Sequence, residues 1–401
     1  MVLGVNRLER HIYLDYHTAK PVDPRVVDEM LPWFTEKFGN PSSLHRVGDI
    51  ATDALEASRA KIARFINADP DEIIFTSGAT ESSNLGIIGY AMKNKRKGNH
   101  IVISEIEHVS ILNIAKYLEQ QGFEVSKVPV DQYGRLKISK LEKRLRDDTI
   151  LVSIGYASNE IGTIQNIKEI GELLESKNIA FHTDAVAAEG LVPLDVRRDK
   201  INLMSLSSND VYGPKGMGVL YMEKKYRVNP LMIGGGQERG FRSGTEDIPS
   251  IVGMAKATEI MSTEMDAEVK KYLAWRDKLV EGILQVPDSH LNGHPTERLA
   301  SNAHFRFDGI EGESILLMFK DKDIAISTGS ACTSKTLEPS HTLIATGLLH
   351  EEAHGSLQIT TGRFTEDSDI DAAIEAVPHI VERLRSLSPI YLQQHVTGAK
   401  Q

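Results

Sequence analysis

The chain has 401 residues, 41% of them hydrophobic and 25% charged, with a formal net charge of −10; at roughly 150 residues per folding unit it should form two or three, with an ordinary globular composition. Its basic runs, such as Lys93-Asn94-Lys95-Arg96-Lys97, are short and lack interleaved aromatics, which argues against nucleic acid as a partner. No stretch approaches the roughly 20 apolar residues of a membrane helix, MVLGVNRLER lacks a signal peptide's apolar core, and a single cysteine, Cys332, excludes an internal disulfide framework, so a cytoplasmic protein is expected.

From residue 73 onward short apolar runs alternate with helical periods. IIFT (73–76) precedes a helix from about Glu81, and HIVIS (100–104) precedes one that ends near Gly122. The alternation continues through FEVSKVPV (123–130), ISKLEKRLRDD (138–148), ILVSIGYA (150–157), IKEIGELLESK (167–177), IAFHTD (179–184) and INLMSLS (201–207). This pattern predicts a mostly parallel sheet wrapped by helices.

After residue 222 the character changes. The glycine-rich GGGQERGFRSGT (234–245) leads into a long helix over about 248–285, with Ile251, Met254, Ala255, Ala257 and Ile260 at helical spacing. Strand patterns (HFRF, 304–307; DIAIS, 323–327) and helix patterns (GESILLMF, 312–319; residues 369–387) then mix, which predicts a second, smaller α+β unit. QQHVTGAKQ reads as a flexible tail.

Ligand sites in open parallel sheets lie beyond the carboxyl ends of the strands, so the residues that follow each apolar run carry the functional signal. In FTSGATESSN (75–84) a strand passes through Ser77-Gly78-Ala79-Thr80 into a helix start whose unpaired amides suit a phosphate; a plain helix capped by Thr80 or Ser77 is an equal alternative. ISEIEHVS (103–110) puts His108 just past a strand, where an imidazole can stack on a flat ligand, move a proton or serve structure alone. FHTDAVAAEG (181–190) ends a buried strand on Asp184, a carboxylate that calls for a protonated ring nitrogen, a salt bridge or a helix cap. STGSACTSKTLEPSH (327–341) surrounds Cys332 with small polar residues, which favours an accessible, reactive thiol over a buried structural one.

Taken in order, the SGATE, NEIG, YGPKG, RSGT and GSACTS elements, with YLDYHTAKPVDPRV (13–26), FGNPSSLH (38–45) and GRFTEDSDI (362–370), resemble the cysteine desulfurases of iron–sulfur cluster assembly, pyridoxal-phosphate enzymes of the class V aminotransferase fold. The resemblance implies an α/β, fold type I transferase. It has a large domain over 16–260 with a mostly parallel central sheet, and a smaller α+β domain formed by 1–15 and 261–401 that carries the Cys332 loop and C-terminal helix. It further implies a cofactor phosphate on the Ala79 and Thr80 amides with Ser207 nearby, and Thr245 reaching in from a second subunit of a homodimer. By the same resemblance His108 would stack on the ring, Asp184 would pair with its nitrogen, Asn159 would contact the ring hydroxyl or substrate, and Arg363 with Asn159 would hold the carboxylate of substrate L-cysteine. Cys332 would take the sulfur as a persulfide and pass it to a cluster-scaffold protein.

One stretch departs from the family. In SLSSNDVYGPKG (205–216) a histidine and the Schiff-base lysine should precede the tyrosine-glycine-proline turn, but Asn209 and Asp210 stand there, and Ala187 replaces a glutamine expected three residues after Asp184. A carboxylate cannot condense with an aldehyde. Lys215 belongs to the family turn and is no substitute, and Lys20, where the family carries a small polar residue, reads as a surface lysine with an approach to the site as the alternative. Two functions follow: an enzyme that holds pyridoxal phosphate noncovalently and turns over weakly, or a non-catalytic assembly partner that lacks the cofactor and whose Cys332 is a metal ligand to an iron–sulfur cluster on a docked scaffold.

Overall fold

A computed structural model describes residues 11–328, 339–389 and 391–392. In chain order the strands among them are β1 (Ile12–Tyr13), β2 (Ile73–Thr76), β3 (His100–Ser104), β4 (Glu124–Val128), β5 (Thr149–Ser153), β6 (Ala180–Asp184), β7 (Leu203–Ser207), β8 (Gly218–Met222), β9 (Ser289–Leu291), β10 (Asn302–Phe307), β11 (Ile324–Ala325) and β12 (Ser356–Thr360). The central sheet has the order β2-β8-β7-β6-β5-β3-β4. Every pairing in it is parallel except those of β8, which runs antiparallel to both neighbours. The α/β architecture and mostly parallel sheet expected from the alternating runs are therefore present.

The inner strands are buried on both faces, as their near-continuous Val, Ile and Leu content requires. One face packs against helices Arg46–Phe65 and Ile167–Ser176 and the start of the long helix Ile248–Ile283. The other packs against the helical run from Asn84 to Asn94 and helix Val109–Gln120. The first of those runs includes a π-turn over Asn84–Gly89. Gly86 sits in that turn, where a methyl would come within 3.0 Å of the Leu220 side chain, so helix and sheet approach closely there.

A second apolar core surrounds the antiparallel sheet β12-β10-β9 and includes Tyr272, Trp275, Leu279 and Ile283 from the far half of the long helix, Ile315 and Phe319, and Ile370, Val377 and Ile380. The same helix thus feeds two cores, its first half through Ile251 and Met254 and its second through Trp275.

Two expected elements are shorter than their patterns suggest. Helix 138–148 is confined to Ile138–Glu142, where Leu141 is its one buried residue. The charged run after it turns instead, with Arg146 paired to Glu124 and Asp148. Strand 323–327 is reduced to Ile324–Ala325, because the chain changes partner: β11 pairs with β1, whereas Ser327 bridges to Gln358. The expected tail 393–401 lies outside the described residues. Among the described residues no helix is long and apolar enough to cross a membrane.

Candidate active site

Because β8 is antiparallel to both β2 and β7, strands β2, β3, β5, β6 and β7 all point the same way, and their carboxyl ends share one edge of the sheet. The segments beyond those ends enclose a cleft of 420 Å³ that includes Ser77–Glu81, Ser104, Ile106–His108, Asp184, Ser207 and Asn209–Asp210. Ala79, Thr80, His108, Asn159, Asp184 and Ser207 all line this cleft, which brings six of the expected site residues together.

At one end, Gly78 turns the chain from β2 into the helix that begins at Ala79. Its φ of +144° is one that other residues rarely adopt, and nothing lies within 4 Å of where its side chain would be. The amides of Ala79 and Thr80 occupy the first helical turn and have no intrahelical acceptor. Beside them, Glu81 is held by Arg242 at 3.0 Å and by the Ser77 amide at 2.7 Å.

At the middle, His108 caps helix Val109–Gln120 through Nδ1, which accepts from the Ser110 amide at 3.2 Å. Asp184 ends β6 and accepts from the Val186 amide at 3.1 Å. Burial pushes its carboxyl above the usual carboxylate range, with nearby His108 pulling it back down. It is half-buried and makes no ion pair among the described residues, which leaves room for a cationic partner. Asn159 is exposed toward the cleft while its backbone carbonyl accepts from His17 at 2.9 Å and from Gln358 at 2.6 Å.

The other end is occupied by Asp210 and a residue the sequence pattern placed elsewhere. Lys20 is only 6% exposed, which corrects its reading as a surface lysine. Its amide donates to Asn209 Oδ1 at 3.1 Å and its carbonyl accepts from Lys215 Nζ at 2.8 Å. The HTAKP turn is thereby pinned onto the 209–215 loop with the Lys20 side chain inward. Lys20 Nζ donates to the Asp210 carbonyl at 2.6 Å and stands 3.9 Å from Asp210 Oδ1. Burial pushes the Asp210 carboxyl up and the Lys20 ammonium down, each opposed by the other's charge. Lys215 itself is exposed and is not part of the cleft wall. Ala187 does line it and offers no side-chain polar group.

Buried acids that the sequence pattern did not single out surround these groups. Glu107 lines the cleft, accepting from Ser104 Oγ at 2.6 Å and the Gly155 amide at 2.9 Å, and burial pushes its carboxyl up to about 7. Glu189 accepts from the Ser207 amide at 3.0 Å, and burial, reinforced by the Asp210 charge, pushes it well above the carboxylate range. Neither stands in a recognisable motif; their burial arises from tertiary packing.

Two of the expected site residues that are described, Arg363 and Thr245, are not in the cleft wall. Arg363 is paired with Asp23, Glu264 and Glu268 and lies 4.5 Å over the Tyr212 ring. Thr245 is exposed on the connection between β8 and the long helix. Cys332 lies outside the described residues; the flanking Ser327 and Ser340 border a small cavity that Glu107, His108 and Asn159 also line.

The family profile described as aminotransferase class-V matches residues 12–372. The chain is 52% identical over 379 residues to the protein named cysteine desulfurase IscS 1 of Archaeoglobus fulgidus, covering 94% of this chain and 99% of that one. It is 49% identical over 394 residues to cysteine desulfurase IscS of Methanosarcina thermophila, with 98% of each covered. Among solved structures, one titled NifS-like protein superposes with a TM-score of 0.88 at 34% identity, over 94% of this chain and 100% of that chain. A NifS-like protein from Rickettsia africae superposes at 0.84 and 29% identity, over 93% and 100% of the two chains.

Proposed function

The chain belongs to the class-V aminotransferase family, as a relative of the IscS-type cysteine desulfurases, and we propose that it is a pyridoxal-phosphate-binding member of iron–sulfur cluster biogenesis whose desulfurase turnover is weak. The observation that carries this reading is Asp210, buried in the cleft wall where the resemblance expects the lysine amine.

The phosphate and ring ends of the cleft fit the cofactor. Free first-turn amides at Ala79 and Thr80 suit a phosphate, with Ser207 beside them. The half-buried Asp184 carboxylate, with no ion pair among the described residues, suits a protonated ring nitrogen, and the His108 imidazole suits a ring face. Residue 210 does not fit a covalent bond, because a carboxylate cannot condense with an aldehyde. When bound, pyridoxal phosphate supplies an electron sink for charge that develops at Cα and Cβ of an amino acid. Around it Asp184 would hold the ring proton, Asn159 would orient the ring hydroxyl or the substrate, and Asp210 offers a buried acid in place of a free amine for the Cα proton.

In the same reading Arg363 exchanges its carboxylate partners for that of L-cysteine, Thr245 completes the site of a second subunit in a homodimer, and Cys332 receives the sulfur for a scaffold protein. The reading also divides the chain into a large domain over 16–260 and a small one over 1–15 and 261–401, supported by the two cores that share the long helix. With pyridoxal phosphate and cysteine added, the purified protein should form little or no persulfide on Cys332. Turnover comparable to that of lysine-containing relatives contradicts the proposal.

A second reading draws on the ion pairs that hold Arg363, which already engage its guanidinium with three carboxylates of this chain. In it the protein is a non-catalytic assembly partner, and Cys332 ligates a cluster held on the docked scaffold. Cys332→Ser should then weaken the cluster held between the two proteins; an unchanged cluster spectrum removes this reading.

A further inference from the structure

Two departures from the family pattern, an acid at 210 and a lysine at 20, are far apart in sequence and touch in the fold. Among the described residues Lys20 is the one lysine in the cleft wall. Its Nζ lies 2.6 Å from the Asp210 carbonyl oxygen and 3.9 Å from Oδ1 of the same residue, so an amine stands beside residue 210, carried by a different segment of the chain. The side chains of Lys20 and Asp210 are 7% and 11% exposed, which removes both from the bulk water that would otherwise screen them.

The segment that delivers Lys20 is fixed from several sides. Tyr13 Oη donates to the carbonyls of Asp15 and Ala19 at 2.9 and 2.7 Å, and Thr18 Oγ1 donates to Asp15 Oδ1 at 2.8 Å. Asn209 and Lys215 hold the Lys20 backbone itself. A backbone held this way fixes where the Lys20 side chain starts and points it at residue 210, which limits the freedom its amine has left to lose.

We infer that Lys20 is the amine that captures the aldehyde of pyridoxal phosphate in this chain, with Asp210 as the carboxylate that accepts its proton. This rests on the pyridoxal-phosphate reading of the cleft given above. The Lys20 ammonium gives one proton to Asp210; the nitrogen lone pair then attacks the aldehyde carbon. A carbon–nitrogen double bond replaces the carbon–oxygen one, and the oxygen leaves as water with the two remaining amine hydrogens. Nothing is oxidised or reduced. Burial, which disfavours both charges, assists the first transfer by pushing the ammonium down and the carboxyl up. A tether at Lys20 is compatible with weak turnover: a displaced Lys20 returns to an ion pair with Asp210 and is not left as a free base.

The test is to incubate the full-length protein with pyridoxal phosphate, reduce with borohydride, digest and map the label by tandem mass spectrometry, with cofactor retention measured in parallel by equilibrium dialysis. The inference expects the label on Lys20. It also expects at least about a tenfold loss of label in Lys20→Arg, which keeps the cation and its ion pair but cannot form the bond. In the double variant Lys20→Thr with Asp210→Lys, the label should move to position 210. Retained cofactor with no label, or with the label on another lysine, overturns the inference and leaves the pocket reading standing. No retained cofactor at all overturns both.

Discussion

At the phosphate end of the cleft the protein leaves its own groups unsatisfied: the Ala79 and Thr80 amides have no intrahelical acceptor, and half-buried Asp184 has no ion pair among the described residues. At the other end the groups satisfy one another. Lys20 bonds to Asp210, Asn209 accepts the Lys20 amide, and Lys215 holds the Lys20 carbonyl. Open donors and unpaired charge mark a place built for something absent from the chain, whereas a closed network marks one that is stable alone. The difference separates what this cleft binds from what it can do to the bound molecule.

The sharpest way to break that contrast is to remove an unsatisfied group at the open end. Leaving a buried partner unpaired typically costs about 3–5 kcal/mol, so Asp184→Ala should lower pyridoxal-phosphate affinity by about 100-fold or more, read by equilibrium dialysis. Unchanged affinity would mean that Asp184 does not face the ring nitrogen.

The buried acids give a second handle. With a folded value near 7 against an ordinary 4.5, Glu107 favours the fold fully below pH 4.5 and loses that contribution as pH rises through about 7. His17, His182 and His304, whose imidazoles burial pushes down, act in the opposite sense over this range, so the acid's contribution is read as the difference between wild type and a Glu107 variant in melting temperature at pH 5 and pH 8. Glu107→Gln should remove about 3 kcal/mol of that pH dependence, and a melting profile as steep as wild type would contradict the burial argument.

A smaller effect separates amide from side chain. Proline is tolerated at the first position of a helix but has no N–H, so Ala79→Pro should keep the melting temperature while weakening inorganic phosphate and cofactor binding by about tenfold. Equal weakening by Ala79→Gly, which keeps the amide, would count against an anion held by the backbone.

Much of the open end was legible in the sequence because its parts are local. Ser77-Gly78-Ala79-Thr80, His108 and Asp184 each follow an apolar run directly, and the strand-to-loop rule alone places them on one edge. The closed end was not legible in the same way. Lys20 follows a two-residue strand, and only its tertiary contacts with Asn209 and Lys215 turn it inward. An available signal was its coincidence with Asp210: a lysine gained and a lysine lost in one site. Arg363 was recognisable as a cation near the end of the chain, but its partners Asp23, Glu264 and Glu268 come from segments too distant for any spacing rule to connect.

The central claim is that catalysis is limited by the missing amine at residue 210 within an otherwise competent cleft. The direct measurement is the rate of persulfide formation on Cys332 in Asp210→Lys beside wild type, both with saturating pyridoxal phosphate and cysteine. An acid–base group in place contributes about 10²–10⁴-fold, so the variant should be faster by at least about 100-fold. Equal rates in the two proteins, with cofactor bound in both, would contradict the account.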